Sequence, residues 1–137
     1  MKNEIIESLE KIYSSINNYV NWRHCHECCG PIIWSEPEEI LIRKYMFQHK
    51  IKYIHWTKED FLKNNNKCPY LQNDRCIIYP VRPIVCRLQG NISGLKCKFS
   101  SSDKLISEQQ IESIRKKYIY LIKNTDSVNK FYSTKKL

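Results

Sequence analysis

Cys68-Pro69-Tyr70-Leu71-Gln72-Asn73-Asp74-Arg75-Cys76-Ile77-Ile78-Tyr79-Pro80-Val81-Arg82-Pro83-Ile84-Val85-Cys86-Arg87 sets three thiols into chain that builds neither a long helix nor a wide sheet. Pro69, Pro80 and Pro83, with Gly90 and Gly94 beyond them, interrupt any helical run, so Cys68 to Cys97 reads as irregular and turn-rich. Gln72-Asn73-Asp74-Arg75 has turn chemistry and separates two short apolar arms, which predicts a small β-hairpin. Such a segment lacks backbone ladders sufficient to hold it. Metal crosslinks through its cysteines supply the missing constraint. Pro80 and Pro83 stiffen the approach to Cys86, which reduces the entropy lost when a site closes.

Working outward, Cys25, Cys28 and Cys29 lie upstream and Cys97 downstream, making seven cysteines in 137 residues. Thiolate is the side-chain group that best holds zinc or iron, so the clustering points to a metal centre. Cys25-x2-Cys28 is a knuckle spacing at which two thiolates grip one ion. Cys29 does not fit the same tetrahedron easily, because successive side chains of an extended segment point in different directions. It serves a second ion, another iron of a cluster, or the core as a small apolar residue. A thioredoxin-type redox dithiol is disfavoured, since the strand-and-helix pattern around such a motif is missing.

The flanks predict helices. Ile5, Leu9, Ile12, Ile16 and Tyr19 recur at spacings of three and four, giving an amphipathic helix over 4–20. Ser35-Glu36-Pro37-Glu38 is a capping box with proline in the first turn of a second helix. Thr57 with Asp60 opens a short third, and Asn64-Asn65-Asn66 closes it. Ser107 with Gln110 opens the last, which runs to about Lys123 with Ile111, Ile114, Tyr118 and Leu121 inward. The expected fold is mainly α: a small metal-stapled domain of three to four helices around an irregular cysteine-rich centre, with a short β-hairpin. Residues 1–123 form the single domain, and 124–137 read as a basic, weakly ordered tail.

Composition sets outer bounds. The 42% hydrophobic content, with three Trp, nine Tyr and four Phe, supports one modest core. No apolar run approaches the ~20 residues of a spanning helix, so no membrane role is expected. Glu4, Glu7, Glu10 and Lys11 interrupt the N-terminal apolar residues, which excludes a secretory h-region and makes the cytoplasm the expected compartment. There, clustered cysteines read as ligands rather than disulfides. The formal charge of +9 stays positive after thiolates and metal are counted, yet the lysines are scattered as on an ordinary solvated surface.

Taken in order, Cys25-His26-Glu27-Cys28-Cys29, then Cys68-Pro69-Tyr70-Leu71, then Cys76-Ile77-Ile78-Tyr79-Pro80-Val81-Arg82-Pro83-Ile84-Val85-Cys86-Arg87, then Cys97, resemble the YkgJ family of zinc- or iron-chelating cysteine-cluster domains. The resemblance spans residues 22–97 and implies metal ligation by Cys25, Cys28, Cys29, Cys68, Cys76, Cys86 and Cys97. The family's leading cysteine falls on Trp22. Two complete four-cysteine sites are therefore excluded within one chain, and a second site would have to borrow a histidine, for which His24 and His26 lie close by, or an outside ligand. One cluster with spare cysteines is the alternative. Arg82 and Arg87 are fixed cations able to offset gathered thiolates and to donate to sulfur or a bound anion; pairing with acids of the first two helices is the competing role.

The expected function is a cysteine-cluster protein holding an iron-sulfur cluster or zinc, with iron-sulfur favoured because adjacent cysteines suit a polynuclear centre. A second reading, implied by similarity of the pattern to flagellin lysine-N-methylases, is S-adenosylmethionine-dependent protein methylation. Only Gly30, Gly90 and Gly94 are available, and they form no nucleotide loop. A third is a metal-stabilised nucleic-acid module, with Tyr53, Trp56 and Tyr70 as stacking platforms; an unidentified protein partner is a further option. His49 and His55 read as packed or exposed rings, and Glu59 and Asp60 as capping residues without acid-base chemistry.

Overall fold

A computed structural model describes residues 2–16, 28–97, 100, 104–125 and 130–134. The chain is mainly helical, as expected, with α1 (Lys2–Ser14), α2 (Glu36–Gln48), α3 (Lys58–Lys63), α4 (Ile84–Leu88) and α5 (Glu108–Lys123). α4 is a fifth helix beyond the three to four predicted. It escaped the pattern because five residues behind two prolines carry no measurable period.

Each longer helix forms for the reason its sequence gives. α1 buries Ile6, Leu9, Ile12 and Tyr13 along one face and ends at Ser14; the part of the expected helix at 17–20 lies outside the described residues. The capping boxes at Ser35/Glu38, Thr57/Asp60 and Ser107/Gln110 are all present. Asp60 accordingly accepts the Thr57 N–H at 2.9 Å, as a cap does. α1 packs on α2 and α5, and α2 on α5, around Leu9, Ile42, Met46, Ile114 and Leu121. A fully buried aliphatic side chain such as Leu9 contributes roughly 2 kcal/mol.

One buried carboxylate joins these layers. Glu38 is 0% exposed. Its Oε2 accepts from the Tyr13 hydroxyl of α1 at 2.6 Å and from the Ile84 N–H, at the start of α4, at 2.6 Å. Its Oε1 accepts from the Ser35 N–H at 3.2 Å and from the Tyr118 hydroxyl of α5. The residue that closes the α2 capping box thus also caps the short helix bearing Cys86.

Two small antiparallel sheets complete the fold. β2 (Leu71–Gln72) pairs with β3 (Arg75–Cys76) as the predicted hairpin. Asn73 and Asp74 have φ of 51° and 60°, the left-handed turn geometry that matches strand twist. β1 (Ile33–Ser35) pairs with β4 (Phe131–Ser133), Trp34 facing Tyr132. This corrects the reading of 124–137 as a weakly ordered tail at residues 131–134; 126–129 and 135–137 lie outside the described residues. Thr134 is fully buried: its N–H donates to the Ile32 carbonyl at 3.2 Å, its Oγ1 accepts the Ile32 N–H at 3.2 Å, and its carbonyl accepts the Trp56 N–H at 3.0 Å. A three-residue strand paired across some hundred positions leaves no local signature.

No helix among the described residues is long and apolar enough to cross a membrane.

Candidate metal centre

Three chain segments converge on one cavity of about 140 Å³ lined by Cys28, Cys29, Cys68, Cys76 and Cys86. Each arrives by a separate local device. Gly30 lets the first segment pass close to the turn that follows α3 and leads to Cys68, since a Cβ there would stand 3.2 Å from the Asn66 carbonyl oxygen. The turn at Asn73-Asp74 folds Cys76 back toward Cys68. The Glu38 carboxylate fixes the N-terminus of α4, and Cys86 follows on its first turn. Ile32, Leu71, Ile78 and Val85 make the remaining wall largely apolar.

The backbone donors suit thiolate. The backbone N–H groups of Tyr70 and Leu71 favour the ionised form of Cys68, and that of Ile78 the ionised form of Cys76. Tyr70 is held for this role by burial and by its own hydroxyl, which accepts the Ile54 N–H at 2.9 Å. Arg82 also lines the cavity, and its charge favours thiolate at Cys76 and Cys86. It donates to the Tyr79 carbonyl at 3.0 Å and lies 4.0 Å over the Tyr79 ring, but its Nε is buried without a hydrogen-bond partner. An orphaned guanidinium N–H beside thiols fits an anionic sulfur group in the cavity.

Without metal, burial dominates these thiols. It pushes Cys68 up to about 11 and raises Cys76 and Cys86, Cys86 further through the neighbouring thiols. Cys28 and Cys29 form a hydrogen-bonded pair that keeps its proton on Cys28: the bond raises Cys28 and lowers Cys29. Gathering the thiolates therefore needs a cation, which is what a metal provides. Among the described residues no three His, Cys, Asp or Glu side chains converge to hold one ion as they stand. The thiols share a cavity rather than a point.

Several expected residues lie elsewhere. Cys97 is not part of the cavity lining; its N–H donates at 3.0 Å to Ser100 Oγ, which itself donates to the Gly90 carbonyl at 2.6 Å. Arg87, expected beside the cofactor, is not among the lining residues either. Its Nε donates to the Arg82 carbonyl at 2.9 Å, its terminal nitrogen to the Pro80 carbonyl at 3.0 Å, and it covers the Tyr13 ring at 3.7 Å. It clasps the 80–82 loop onto α1, so its effect on the thiols runs through Arg82. Cys25, Trp22, His24 and His26 fall outside the described residues. His49 stacks on Tyr45 at 4.0 Å and His55 on Tyr53 at 4.8 Å, both exposed and neither lining the cavity.

Sequence reasoning missed Glu38 as the anchor of α4. Its capping box was legible, but the partner 46 residues away was not. It also missed Gly30, for which the only local signal was its place directly after the cysteine pair.

Compared with known proteins, no curated protein and no solved structure matches the chain. A family model does, over residues 22–116, most of the chain and all seven cysteines, which bears out the resemblance carried by the ordered motifs. The chain belongs to the CxxCxxCC family, whose description is "putative zinc- or iron-chelating domain".

Proposed function

We propose that the cavity holds an iron-sulfur cluster, its four donors drawn from Cys28, Cys29, Cys68, Cys76 and Cys86, with Arg82 beside it. The observation that carries this is five thiols around one space of about 140 Å³. One tetrahedral ion needs four thiolate sulfurs about 3.8 Å apart, whereas these thiols surround a space larger than an ion and no three of them converge on a point, which suits a polynuclear centre held by four of them better. The adjacent pair then has a use, since Cys28 and Cys29, hydrogen-bonded to each other, can serve different irons of one cluster. Cys25, at knuckle spacing from Cys28, is a further donor.

The roles of the chain's residues follow from their contacts. The N–H groups of Tyr70, Leu71 and Ile78 favour the ionised form of the Cys68 and Cys76 sulfurs, so they support thiolate once a metal offsets the effect of burial. Arg82 offsets the summed negative charge, and its free Nε–H donates to sulfur. Ile32, Leu71 and Ile78 give the cavity an apolar wall that limits the access of water on their side. Bound here, a cluster would supply one-electron transfer and a crosslink among three chain segments. A reducing compartment, the cytoplasm, suits such thiols.

Anaerobic purification followed by an absorption spectrum with iron and acid-labile sulfide analysis tests the proposal. A brown protein carrying both is expected. A colourless protein with stoichiometric zinc overturns it.

A further inference from the structure

A trough of about 880 Å³ runs between α1, α2 and α5 and shares no residue with the cysteine cavity. Its floor is apolar, made by Ile5 and Ile12 of α1, Ile40 of α2 and Leu121 of α5. Its sides are basic. Lys2 and Lys11 come from α1, Lys116 and Lys117 from α5, against only Glu4 and Glu36 of opposite sign. Tyr120 stands at the edge, 72% exposed, an aromatic with no structural task in the chain's own core.

We propose that this trough docks an acidic amphipathic helix of a partner protein. Dimensions agree: two turns of a helix about 10 Å across occupy about 850 Å³, and Lys2 to Lys11 spans about 14 Å of α1, two and a half turns. The apolar floor takes leucine-like anchors at i, i+3 and i+7, while the lysines on both sides pair with acids flanking them. Charge selects the partner class. A second copy of this chain, itself at +9, would be repelled. A flat bilayer does not enter a recessed floor, and nucleic acid has no aliphatic groups to fill one.

The test uses the metal-loaded full chain and a fluorescein-labelled helical peptide with leucine at i, i+3 and i+7 flanked by glutamate, read by anisotropy and by hydrogen exchange. Lys116 and Lys117 are exposed, so the Lys116→Glu/Lys117→Glu variant should keep its melting temperature and metal content. The expected result is binding that protects α1 and α5, weakens with salt, and falls about tenfold or more in the variant. No binding, equal binding by a peptide with lysine replacing glutamate, or an unaffected variant overturns the proposal. So does protection of α1 and α5 by phosphatidylglycerol vesicles or single-stranded RNA where the peptide gives none. Metal content reads separately on the cysteine cavity, so failure of one reading leaves the other standing.

Discussion

Replacing Glu38 by glutamine should both destabilise the fold and loosen the metal centre. The carboxylate is acceptor-only, and every group around it donates: Tyr13 and Ile84 to one oxygen, Ser35 N–H and Tyr118 to the other. Glutamine offers one acceptor and one NH₂. The phenols can rotate to accept from the NH₂, but a backbone N–H cannot. Whichever way the amide is turned, Ile84 or Ser35 is left as a buried donor facing a donor, at a cost of about 1–3 kcal/mol. Two phenol hydrogen bonds also lose their charged acceptor, worth about 1 kcal/mol each. The sum is about 3–5 kcal/mol, a large share of the 5–15 kcal/mol typical of a domain. Urea unfolding followed by far-UV circular dichroism should show the midpoint falling at unchanged slope. Because the same carboxylate caps the helix bearing Cys86, metal release to a chelator should accelerate in parallel. A Glu38→Gln protein within about 1 kcal/mol of the parent, releasing metal at the parent rate, would refute the reasoning.

Metal affinity should fall steeply with acid. Cys68, at about 11, and Cys28, Cys76 and Cys86, all raised, are protonated near neutrality, so ligation expels their protons. Each expelled proton makes affinity rise about tenfold per pH unit, and chelator competition between about pH 6.5 and 8.5 should give a log-log slope of about three or more; a slope near zero contradicts it. Cys86→Ser should lower metal content and Cys97→Ser should leave it near the parent value, because only Cys86 lines the cavity; elemental analysis showing equal losses would put Cys97 among the ligands. Thr134→Ala should cost about 1–2 kcal/mol in thermal unfolding by orphaning the Ile32 N–H, whereas a neutral result would return the C-terminus to a loose tail.

What could be read from the chain was whatever its chemistry decides locally. The three capping boxes span four residues each, and all form. The hairpin turn is specified by Asn73-Asp74, two residues that tolerate positive φ, and it forms where predicted. The ordered cysteine motifs marked the family and named the five thiols that line the cavity. What stayed hidden depends on contacts between distant positions. The β1–β4 ladder joins residue 33 to residue 133 through strands too short to alternate. Glu38 is spent once within α2 and again on Ile84, and only the first use is local. Spacing also could not separate Cys97 from the other thiols or turn Arg87 from the cavity to the Pro80 and Arg82 carbonyls, since both outcomes depend on the path of the loops after α4 and around residue 80.

The central claim, several irons held by the cavity thiols, meets its most direct test in iron K-edge X-ray absorption on anaerobically prepared protein. A cluster in the cavity gives a first shell of sulfur only and a second shell containing iron. An isolated metal without a metal neighbour, or a first shell containing nitrogen or oxygen, would contradict it.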